Sequence, residues 1–471
     1  MRGRKIHDGA ARGIDPTLSG LQSARVRAEQ RTLNAASPWI AELPDVDPRH
    51  PVDFDTGADV CIIGAGLTGL CSALSLRAEG LDVVVLDAET AGFGASGRNA
   101  GHLTPTIGKD LPTLASMYGR ERVRELVLLQ ETAISHVERL IDGHGIDCRY
   151  EAVGNVIAAV HPLQHHALDR AADTAARYGV PGRMLEAAEM EKRGLPRAFT
   201  RGWFEPHGGV LDPARYVRGL RKAVIEGGVR LFEHSPVVRI DDGPTVSVVT
   251  PRATVRAGKV VIATNGYTAS LRRLPTAGTR VQVQLFRTAP LDDRQLAAVG
   301  WKHREGIYTA HELLESYRLT HDNRIVGGSK HVRTGFGSRS APDVDAKTSQ
   351  ELEAVFRRRF PELADVEITD HWGGPIMMAL DFLPVVGVGG SHENILHSIA
   401  YAGHGLAMAS YAGPMISDLI LERDGPGRAL WGRRNIPTPP DPLRWLAFHG
   451  LREYFAWRDR RIDRSAPRRQ V

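Results

Sequence analysis

An α/β fold is predicted by two features near the start of the chain and one further along it. The apolar runs at 59–63 and 83–86 predict buried strands, and a helical pattern lies between them. Later strand-like runs alternate with helical ones, an order typical of a largely parallel sheet covered by helices. These features predict a Rossmann-like domain, accompanied by a second domain of α+β type with a mixed sheet.

The first strand leads into a three-glycine turn. Gly64, Gly66 and Gly69 have the spacing that allows a tight turn, a close approach to a pyrophosphate and close packing of helix on strand. The pyrophosphate would then lie at a helix N-terminus. Asp87 ends the next strand, where a carboxylate can accept hydrogen bonds from a ribose diol. The unit predicts a bound dinucleotide, but NAD and FAD share it.

Composition indicates an ordinary globular protein. At 471 residues, with 42% hydrophobic and 24% charged residues, the chain can bury a large core in two or three domains. No apolar run is long enough to span a membrane, and residues 1–8 lack the apolar segment of a secretory signal, so a cytoplasmic protein is expected. Cys61, Cys71 and Cys148 form no CxxC pair, which argues against a disulfide scaffold and a zinc site, and no metal is expected.

The remaining elements follow in order. Helices are predicted at about 110–145 and 163–178, with short strands near 150–160, and Asp212-Pro213 is a typical start for a helix over 213–227. Strand-like runs then extend from Val229 to Gly328, a helix is expected at 347–359, and another ends at Leu421.

This order predicts discontinuous domains. Ser37-Pro38-Trp39 is expected to break any helix, so residues 1–56 are interpreted as an extended lead-in. The other assignments are a cofactor domain at 57–105, 205–270 and 366–425, a substrate domain at 106–204 and 271–365, and a basic aromatic tail at 426–471.

Several separated motifs carry a resemblance. They are the unit at 58–69, the loop Gly92-Phe93-Gly94-Ala95-Ser96-Gly97-Arg98-Asn99-Ala100-Gly101-His102, the stretch 260–267, Trp372-Gly373-Gly374 followed by 381–387, and Gly403-His404-Gly405-Leu406. As a set they resemble the D-amino-acid-oxidase-like family of FAD-dependent oxidoreductases over about 57–425, and most of all its γ-glutamylputrescine oxidase branch. The resemblance implies FAD, enclosed by glycine-rich loops from distant parts of the chain.

The resemblance assigns the cofactor site. The implied cofactor-binding residues are Gly64, Gly66, Leu67, Thr68, Gly69, Asp87, Ala95, Ser96, Arg98, Asn99, Ala100, Gly101, His102, Val237, Ala263, Gly266, Gly403, His404, Gly405 and Leu406. Members that attach flavin covalently use a late Cys or a His in the flavin-wrapping loop. This chain has no Cys after Cys148 and Asn99 stands nearest that loop position, so noncovalent FAD is expected.

The implied reaction is oxidation of a C–N bond in a small amine, with electrons passing to oxygen or another acceptor. Members that bind amino-acid carboxylates place an arginine after a Tyr-x-x-Pro-like strand, whereas this chain has Thr320 and His321 there, which disfavours free α-amino acids. Catalytic residues are not identified. Tyr317 and His321 share one strand face and are weak candidates for the substrate site, and His404 is a weak candidate for a catalytic base.

The tail leaves alternatives open. Residues 443–471 hold eight arginines against three acidic residues, and Trp445, Phe448, Leu451 and Phe455 recur at helical spacing. Docking on the protein's own body is favoured over contact with a membrane surface. An amino-acid dehydrogenase feeding a membrane acceptor, and an RNA-modifying or noncatalytic flavoprotein, are the competing functional hypotheses. No DNA partner is expected.

Overall fold

The computed structural model describes residues 37–44, 49–271, 273–328, 331–337, 340–431 and 435–465. The predicted lead-in over 1–56 therefore lies largely outside the described residues. The strands are β1 (Thr56–Ile63), β2 (Val83–Leu86), β3 (His102–Leu103), β4 (Asn155–Ala159), β5 (Arg183–Leu185), β6 (Arg201–Glu205), β7 (Gly209–Val210), β8 (Arg230–Phe232), β9 (Arg239–Asp241), β10 (Val246–Val249), β11 (Thr254–Ile262), β12 (Thr279–Thr288), β13 (Gly306–Thr309), β14 (Ser316–Leu319), β15 (Ile325–Gly328), β16 (Ile368–Met378), β17 (Val385–Gly389) and β18 (Ile395–Ile399).

The helices include those predicted at 163–178, 213–227 and 347–359, and the helix predicted at 110–145 is divided in two. They are α1 (Pro38–Ala41), α2 (Leu67–Ala78), α3 (Leu111–Met117), α4 (Arg120–Gly143), α5 (His165–Tyr178), α6 (Ala187–Arg193), α7 (Pro213–Glu226), α8 (Asp293–Val299), α9 (Ala346–Arg359), α10 (Gly405–Ile420), α11 (Arg428–Trp431) and α12 (Leu443–Ser465).

The first sheet is mostly parallel, as predicted. β1 pairs in parallel with β2 on one side and with β11 on the other, and β8 continues in parallel beyond β2. β18 lies parallel to the end of β11, whereas the hairpin of β9 and β10 runs antiparallel along its beginning. Because β1, β2 and β11 are parallel, their carboxyl ends meet at one edge of the sheet. The three-glycine turn and Asp87 both lie at that edge.

The second sheet is mixed, as predicted for the substrate domain. Its strand order is β16-β12-β15-β14-β13-β4-β6-β5, with β13 and β4 parallel and the other pairs antiparallel. β16 pairs along its whole length with β12, so residues 368–378 belong to this sheet although 366–425 was assigned to the cofactor domain. The division into domains stays a prediction.

Two layers of helix and strand enclose the first sheet. Apolar residues of α2, α4, α7 and α10 form a core on one face, and residues of β9 and β10 cover the other. α2 and α10 pack so closely that a Cβ added at Gly413 would lie 2.4 Å from the carbonyl oxygen of Cys71. A separate core lies between the second sheet and the helices α6, α8 and α9.

The three cysteines are buried and free, as small apolar core residues are. Burial raises the pKa of each thiol, of Cys61, Cys71 and Cys148, to about 12. At neutral pH the reactive thiolate form is therefore negligible.

Residues 37–41 form a short helix, so the expectation that Ser37-Pro38-Trp39 breaks any helix is wrong. Ser37 caps the helix with its side chain, and proline is tolerated at the first helical position because that N–H needs no helical partner. The Ser37 hydroxyl also donates to the Gly97 carbonyl at 2.6 Å, and Trp39 Nε1 donates to the Asn99 carbonyl at 3.1 Å. These bonds attach the segment to the loop at 92–102.

The basic tail contains the long helix α12, which docks on the body as favoured. Asp459 is buried and accepts hydrogen bonds from the backbone amides of Glu312 and Leu313 at 3.0 and 2.9 Å. Arg458 pairs with Glu312, and Asp463 accepts from Arg359 at 2.6 Å. Neither α12 nor any other helix in the described part of the chain is long and apolar enough to cross a membrane.

Candidate active site

A cavity of about 1470 Å³ lies between the carboxyl edge of the first sheet and one face of the second. We call the part lined by Gly66, Asp87 and the glycine-rich loops the first-sheet end. The part lined by Trp203, Glu205 and Tyr308 is the second-sheet end.

The structure brings nearly all of the predicted cofactor residues to this cavity. Those that line it are Gly64, Gly66, Leu67, Thr68, Asp87, Ala95, Ser96, Arg98, Asn99, Ala100, Gly101, His102, Val237, Ala263, Gly266, Gly403, His404, Gly405 and Leu406. Gly69 does not line it. A Cβ at Gly69 would lie 1.8 Å from the Gly64 carbonyl oxygen, so this glycine lets α2 start tightly against the end of β1.

The turn after β1 leaves an open backbone surface. Gly64 has φ +106°, a conformation that favours glycine. Gly66 precedes α2, and a Cβ there would lie 2.8 Å from Ser96 Oγ, which itself accepts from the Leu67 amide at 2.9 Å. The space at this turn is therefore shaped by main chain and by one hydroxyl, at the positive end of a helix.

Asp87 lies at the carboxyl end of β2, as predicted. Its two oxygens accept from the backbone amides of Ala65 at 2.6 Å and Glu89 at 2.8 Å. Burial raises the pKa of Asp87 to about 6 in spite of these bonds. The carboxylate thus joins the glycine turn to the second strand and still has lone pairs on the cavity side.

The loop at 92–102 is held by its own polar side chains. Asn99 donates to the Ser96 carbonyl at 2.9 Å and accepts from the Gly101 amide at 2.8 Å. Arg98 was expected to contact a pyrophosphate or flavin. It lines the cavity, and its guanidinium donates to the Phe93 and Gly373 carbonyls and to Asp343 at 2.9 Å, so its contact with a cofactor stays a prediction. These contacts connect the loop to β16.

The turn before α10 supplies a second helix N-terminus. Gly403 has φ +87°, and His404 is the residue that precedes the first helical position of α10. His404 Nδ1 lies 3.3 Å from the Ala402 carbonyl oxygen, and burial lowers the pKa of His404. The ring is therefore predominantly neutral near pH 7, and the positive charge at this turn comes from the helix itself.

His102 lies at the junction of the two ends. Its ring centroid is 4.6 Å from that of Tyr308 in β13. Burial, together with the nearby charge of Arg318, lowers the pKa of His102 to about 3. A neutral imidazole therefore faces the cavity across the physiological pH range.

The structure contradicts the expected positions of Tyr317 and His321. Tyr317 points into the core on the opposite face of the second sheet and donates to Glu315 at 3.0 Å, and His321 lies on an exposed turn. β14 ends at Leu319, so His321 shares no strand face with Tyr317, and the face of β14 towards the cavity is the one that carries Ser316. Arg318 is on that face, where it donates to the Gly101 and Leu211 carbonyls.

The sequence reasoning missed the second-sheet end. Tyr308, Ile157 and Trp203 lie side by side across β13, β4 and β6, because Ile157 pairs with both of the others. Glu205 ends β6 two residues after Trp203, on the same face. Burial, with a smaller effect of the nearby Glu131 charge, raises the pKa of Glu205 to about 7. The run Trp203-Phe204-Glu205 alternates only once before a glycine turn, too briefly to show its buried face.

The helix α12 forms one wall of the cavity. Phe448, Leu451 and Phe455 line it, and the ammonium of Lys109 lies 5.1 Å from the ring centroid of Phe455. Below this helix, His311, Glu315 and Asp463 come close enough together to hold an ion. Both carboxylates there already pair with the guanidinium of Arg359.

Three features of the fold and the cavity indicate the class of protein. They are a glycine turn followed by a helix, an acidic residue after the next parallel strand, and a mixed sheet that faces them. This arrangement is typical of dinucleotide-dependent oxidoreductases.

The chain belongs to the DAO family, described as FAD dependent oxidoreductase, whose family model matches residues 59–419. The resemblance drawn from the separated motifs is thereby confirmed. Gamma-glutamylputrescine oxidoreductase of Escherichia coli is 29% identical over 418 residues, which cover 87% of this chain and 94% of that protein. The probable oxidoreductase OrdL of Haemophilus influenzae is 28% identical over 378 residues, covering 78% of this chain and 84% of its own.

Solved structures agree in fold. Glycine oxidase from Geobacillus kaustophilus has a TM-score of 0.67 at 20% identity, over 81% of this chain and 99% of that one. L-proline dehydrogenase from P. horikoshii has a TM-score of 0.65 at 17% identity, over 80% and 94%.

Proposed function

We propose that this protein oxidises the C–N bond of a primary or secondary amine, γ-glutamylputrescine or a related amine, to an imine, and that oxygen reoxidises its FAD. One observation carries the proposal. A continuous cavity joins the predicted cofactor residues to an aromatic face of the second sheet that bears a carboxylate. The family match and the 29% identity to a γ-glutamylputrescine oxidoreductase support it.

The residues of the first-sheet end fit FAD. Gly66 presents bare backbone to the cavity at the N-terminus of α2, where a pyrophosphate would be stabilised. Asp87 would accept from the ribose hydroxyls, and the loops at 92–102 and 403–406 would enclose the ring system. When bound, FAD supplies the acceptor for the hydride.

The protein's own groups position the substrate and stabilise charge. The N-terminus of α10 would favour negative charge on a reduced ring that lies beside it. Tyr308 and Trp203 offer flat apolar surfaces that exclude water and hold the reacting carbon in place. Noncovalent FAD stays part of the proposal, supported by the burial of Cys61, Cys71 and Cys148 in the core.

The position of Arg318 favours an amine over a free α-amino acid. It lies on the cavity face of β14, where an arginine could grip a carboxylate bidentately. Its guanidinium is instead buried against the Gly101 and Leu211 carbonyls. A substrate carboxylate would have to displace these bonds.

The experiment is anaerobic bleaching of the flavin absorbance by a panel of polyamines, γ-glutamyl amines, N-methyl amino acids and D-amino acids. We expect γ-glutamyl amines or polyamines to bleach fastest, and acid denaturation to release free FAD. A colourless purified protein, or bleaching by D-amino acids alone, would refute the proposal.

A dehydrogenase that serves a membrane acceptor is the second candidate, because Leu443, Leu446, Tyr454 and Trp457 of α12 are all about half exposed or more. Formation of hydrogen peroxide by the purified enzyme would exclude it, whereas turnover with a dye alone would favour it. Arg444, Arg452 and Arg458 of the same helix pair with carboxylates. The RNA-binding hypothesis therefore has no support from this helix, and a cytoplasmic location stays a prediction.

A further inference from the structure

Glu205 is an exception among the buried glutamates of the described residues. Three others form ion pairs with arginine. These pairs are Arg221 with Glu233, Arg193 with Glu305 and Arg359 with Glu315. Glu205 is only 8% exposed, yet within the described part of the chain its carboxylate has no hydrogen bond and no ion pair. A buried carboxylate without a partner is costly, so its presence beside a cavity points to a ligand that supplies one.

Among the described residues, no cation pairs with this carboxylate. The charged group that acts on it is Glu131 of α4, a like charge, and Glu131 itself is paired with His207. Tyr308 and the neutral His102 lie on the same face, and both supply uncharged groups near pH 7. The Glu205 charge therefore lacks a compensating charge in the described part of the chain, and a cationic ligand would supply one.

The aromatic surroundings suit a cation that also carries carbon. Trp203 lies two residues before Glu205 on the same strand face, and Tyr308 lies beyond Ile157 on that face. Indole and phenol rings attract ammonium groups through their negative faces, and they pack against methylene groups at the same time. A carboxylate next to two such rings is the chemistry that recognises an alkylammonium ion.

We propose that Glu205 binds an ammonium group of the substrate and so selects amines over substrates that present a carboxylate at this position. This inference deepens the proposed function and rests on it for the identity of the reaction. The proposed contact is a charge-assisted hydrogen bond, in which the substrate's ammonium N–H donates to the Glu205 carboxylate.

The test uses the FAD-loaded enzyme and ligands that cannot be oxidised. tert-Butylammonium has no hydrogen on the carbon next to nitrogen, tert-butanol is its neutral analogue, and pivalate is its anionic one. Binding is measured from the perturbation of the flavin spectrum. We expect the wild-type enzyme to bind the ammonium ion more tightly than either analogue.

The variant Glu205→Gln keeps the shape and removes the charge. Its affinity for tert-butylammonium should fall about 10- to 100-fold, with little change for tert-butanol and with normal FAD content. Glu186→Gln is the matched control, because Glu186 is exposed on the protein surface, where it pairs with Arg201. It should leave both affinities unchanged.

A pH titration of the wild-type enzyme supplies a second test, which needs no substitution. Because burial raises the pKa of Glu205 to about 7, tert-butylammonium should bind more weakly as the pH falls through that value. The same titration in Glu205→Gln is the control. The dependence should be much reduced in that variant.

The outcomes separate the two claims. If no amine bleaches the flavin but the ammonium ion still binds through Glu205, the proposed reaction fails and the inference stands. Affinities of Glu205→Gln and wild type within about twofold, or a wild-type preference for pivalate, would overturn the inference whatever the reaction is.

Discussion

The two ends of the cavity are formed by different kinds of group. The first-sheet end is shaped by glycines, backbone amides and helix N-termini, and its main side-chain contacts join one loop to another. The second-sheet end is shaped by side chains that project from a sheet, with Trp203, Glu205 and Tyr308 facing the cavity. The difference indicates that a cofactor's fixed shape is matched by main chain, whereas a substrate is distinguished by side chains that can change without altering the fold.

The largest effect should come from filling the backbone surface at the first-sheet end. In Gly66→Val the added side chain meets Ser96 Oγ, which a Cβ alone would approach to 2.8 Å, and its branches enter the cavity. We expect purified protein with little FAD, corresponding to a loss of more than about 100-fold in affinity, or more than about 2.7 kcal/mol. The absorbance ratio of flavin to protein measures it.

Gly57→Val is the control for this change. Gly57 lies in β1, and a Cβ there would be 3.7 Å from the Arg256 carbonyl, an ordinary contact. It should retain full FAD. Equal FAD content in the two variants would contradict the assignment of the cofactor turn.

On the face of the second sheet away from the cavity, the comparison predicts that stability depends on a buried pair of charged side chains. Arg359 donates to both oxygens of Glu315, and each residue is almost fully buried. Arg359→Met leaves the Glu315 charge buried with one partner lost, which should cost about 3–5 kcal/mol in the free energy of unfolding. Urea denaturation measures it.

Arg239→Met removes a pair that is largely exposed, between Arg239 and Asp241, and should cost at most about 1 kcal/mol. A similar loss in both variants would show that burial of the Arg359 pair is not what makes it important.

The unpaired Glu205 should instead destabilise the folded protein when no ligand is bound. Because the pKa is raised from 4.5 to about 7, its favourable contribution is complete below about pH 4.5 and is lost as the pH rises through about 7. Glu205→Gln should therefore be more stable than wild type at about pH 8, by at most about 3 kcal/mol, with little difference near pH 4.5.

Urea midpoints at the two pH values measure this prediction. Glu186→Gln, again the exposed control, should stay within about 1 kcal/mol of wild type at both. A Glu205→Gln variant less stable than wild type at the higher pH would show that the carboxylate has a partner within the protein.

The smallest effect concerns α12, which forms one wall of the cavity. Asp459→Ala removes the acceptor for two backbone amides that hold α12 in place, which should cost about 1–3 kcal/mol locally. Hydrogen exchange across 443–465 should accelerate while FAD content is unchanged. Glu453→Ala, on an exposed part of the same helix, should leave the exchange as it is.

The first-sheet end is shaped by backbone and the second-sheet end by side chains, and this difference explains which parts of the site could be predicted from sequence. The turn with Gly64, Gly66, Gly69 and Asp87 could be predicted because backbone geometry at a tight strand-to-helix turn restricts which residues can stand there. The positions of Tyr317 and His321 were wrong, because β14 ends before His321 and Tyr317 lies on the face away from the cavity. Which strand face meets a cavity depends on how the sheet packs, and alternation alone does not contain that information.

Local signals also hid parts of the fold. β16 includes Gly373, Gly374 and Pro375, residues that weaken or interrupt a strand pattern, and its long pairing with β12 overrides that weakness. The helix at Pro38 was missed because a proline was interpreted as a breaker, whereas at the first position it starts a helix. The sequence did not point to Glu205, because what distinguishes this residue is that its carboxylate has no hydrogen-bond or ion-pair partner among the described residues. Only the packed structure reveals this.

The burial of Cys61, Cys71 and Cys148 has a practical consequence for spectroscopy. Those are all the cysteines of the chain, and the raised pKa of each thiol keeps it protonated and inert towards maleimide and similar reagents. A cysteine introduced at Leu451, which is 45% exposed and lines the cavity, would be the one reactive site in an otherwise silent background. A fluorophore attached there would report occupancy of the second-sheet end without further engineering of the chain.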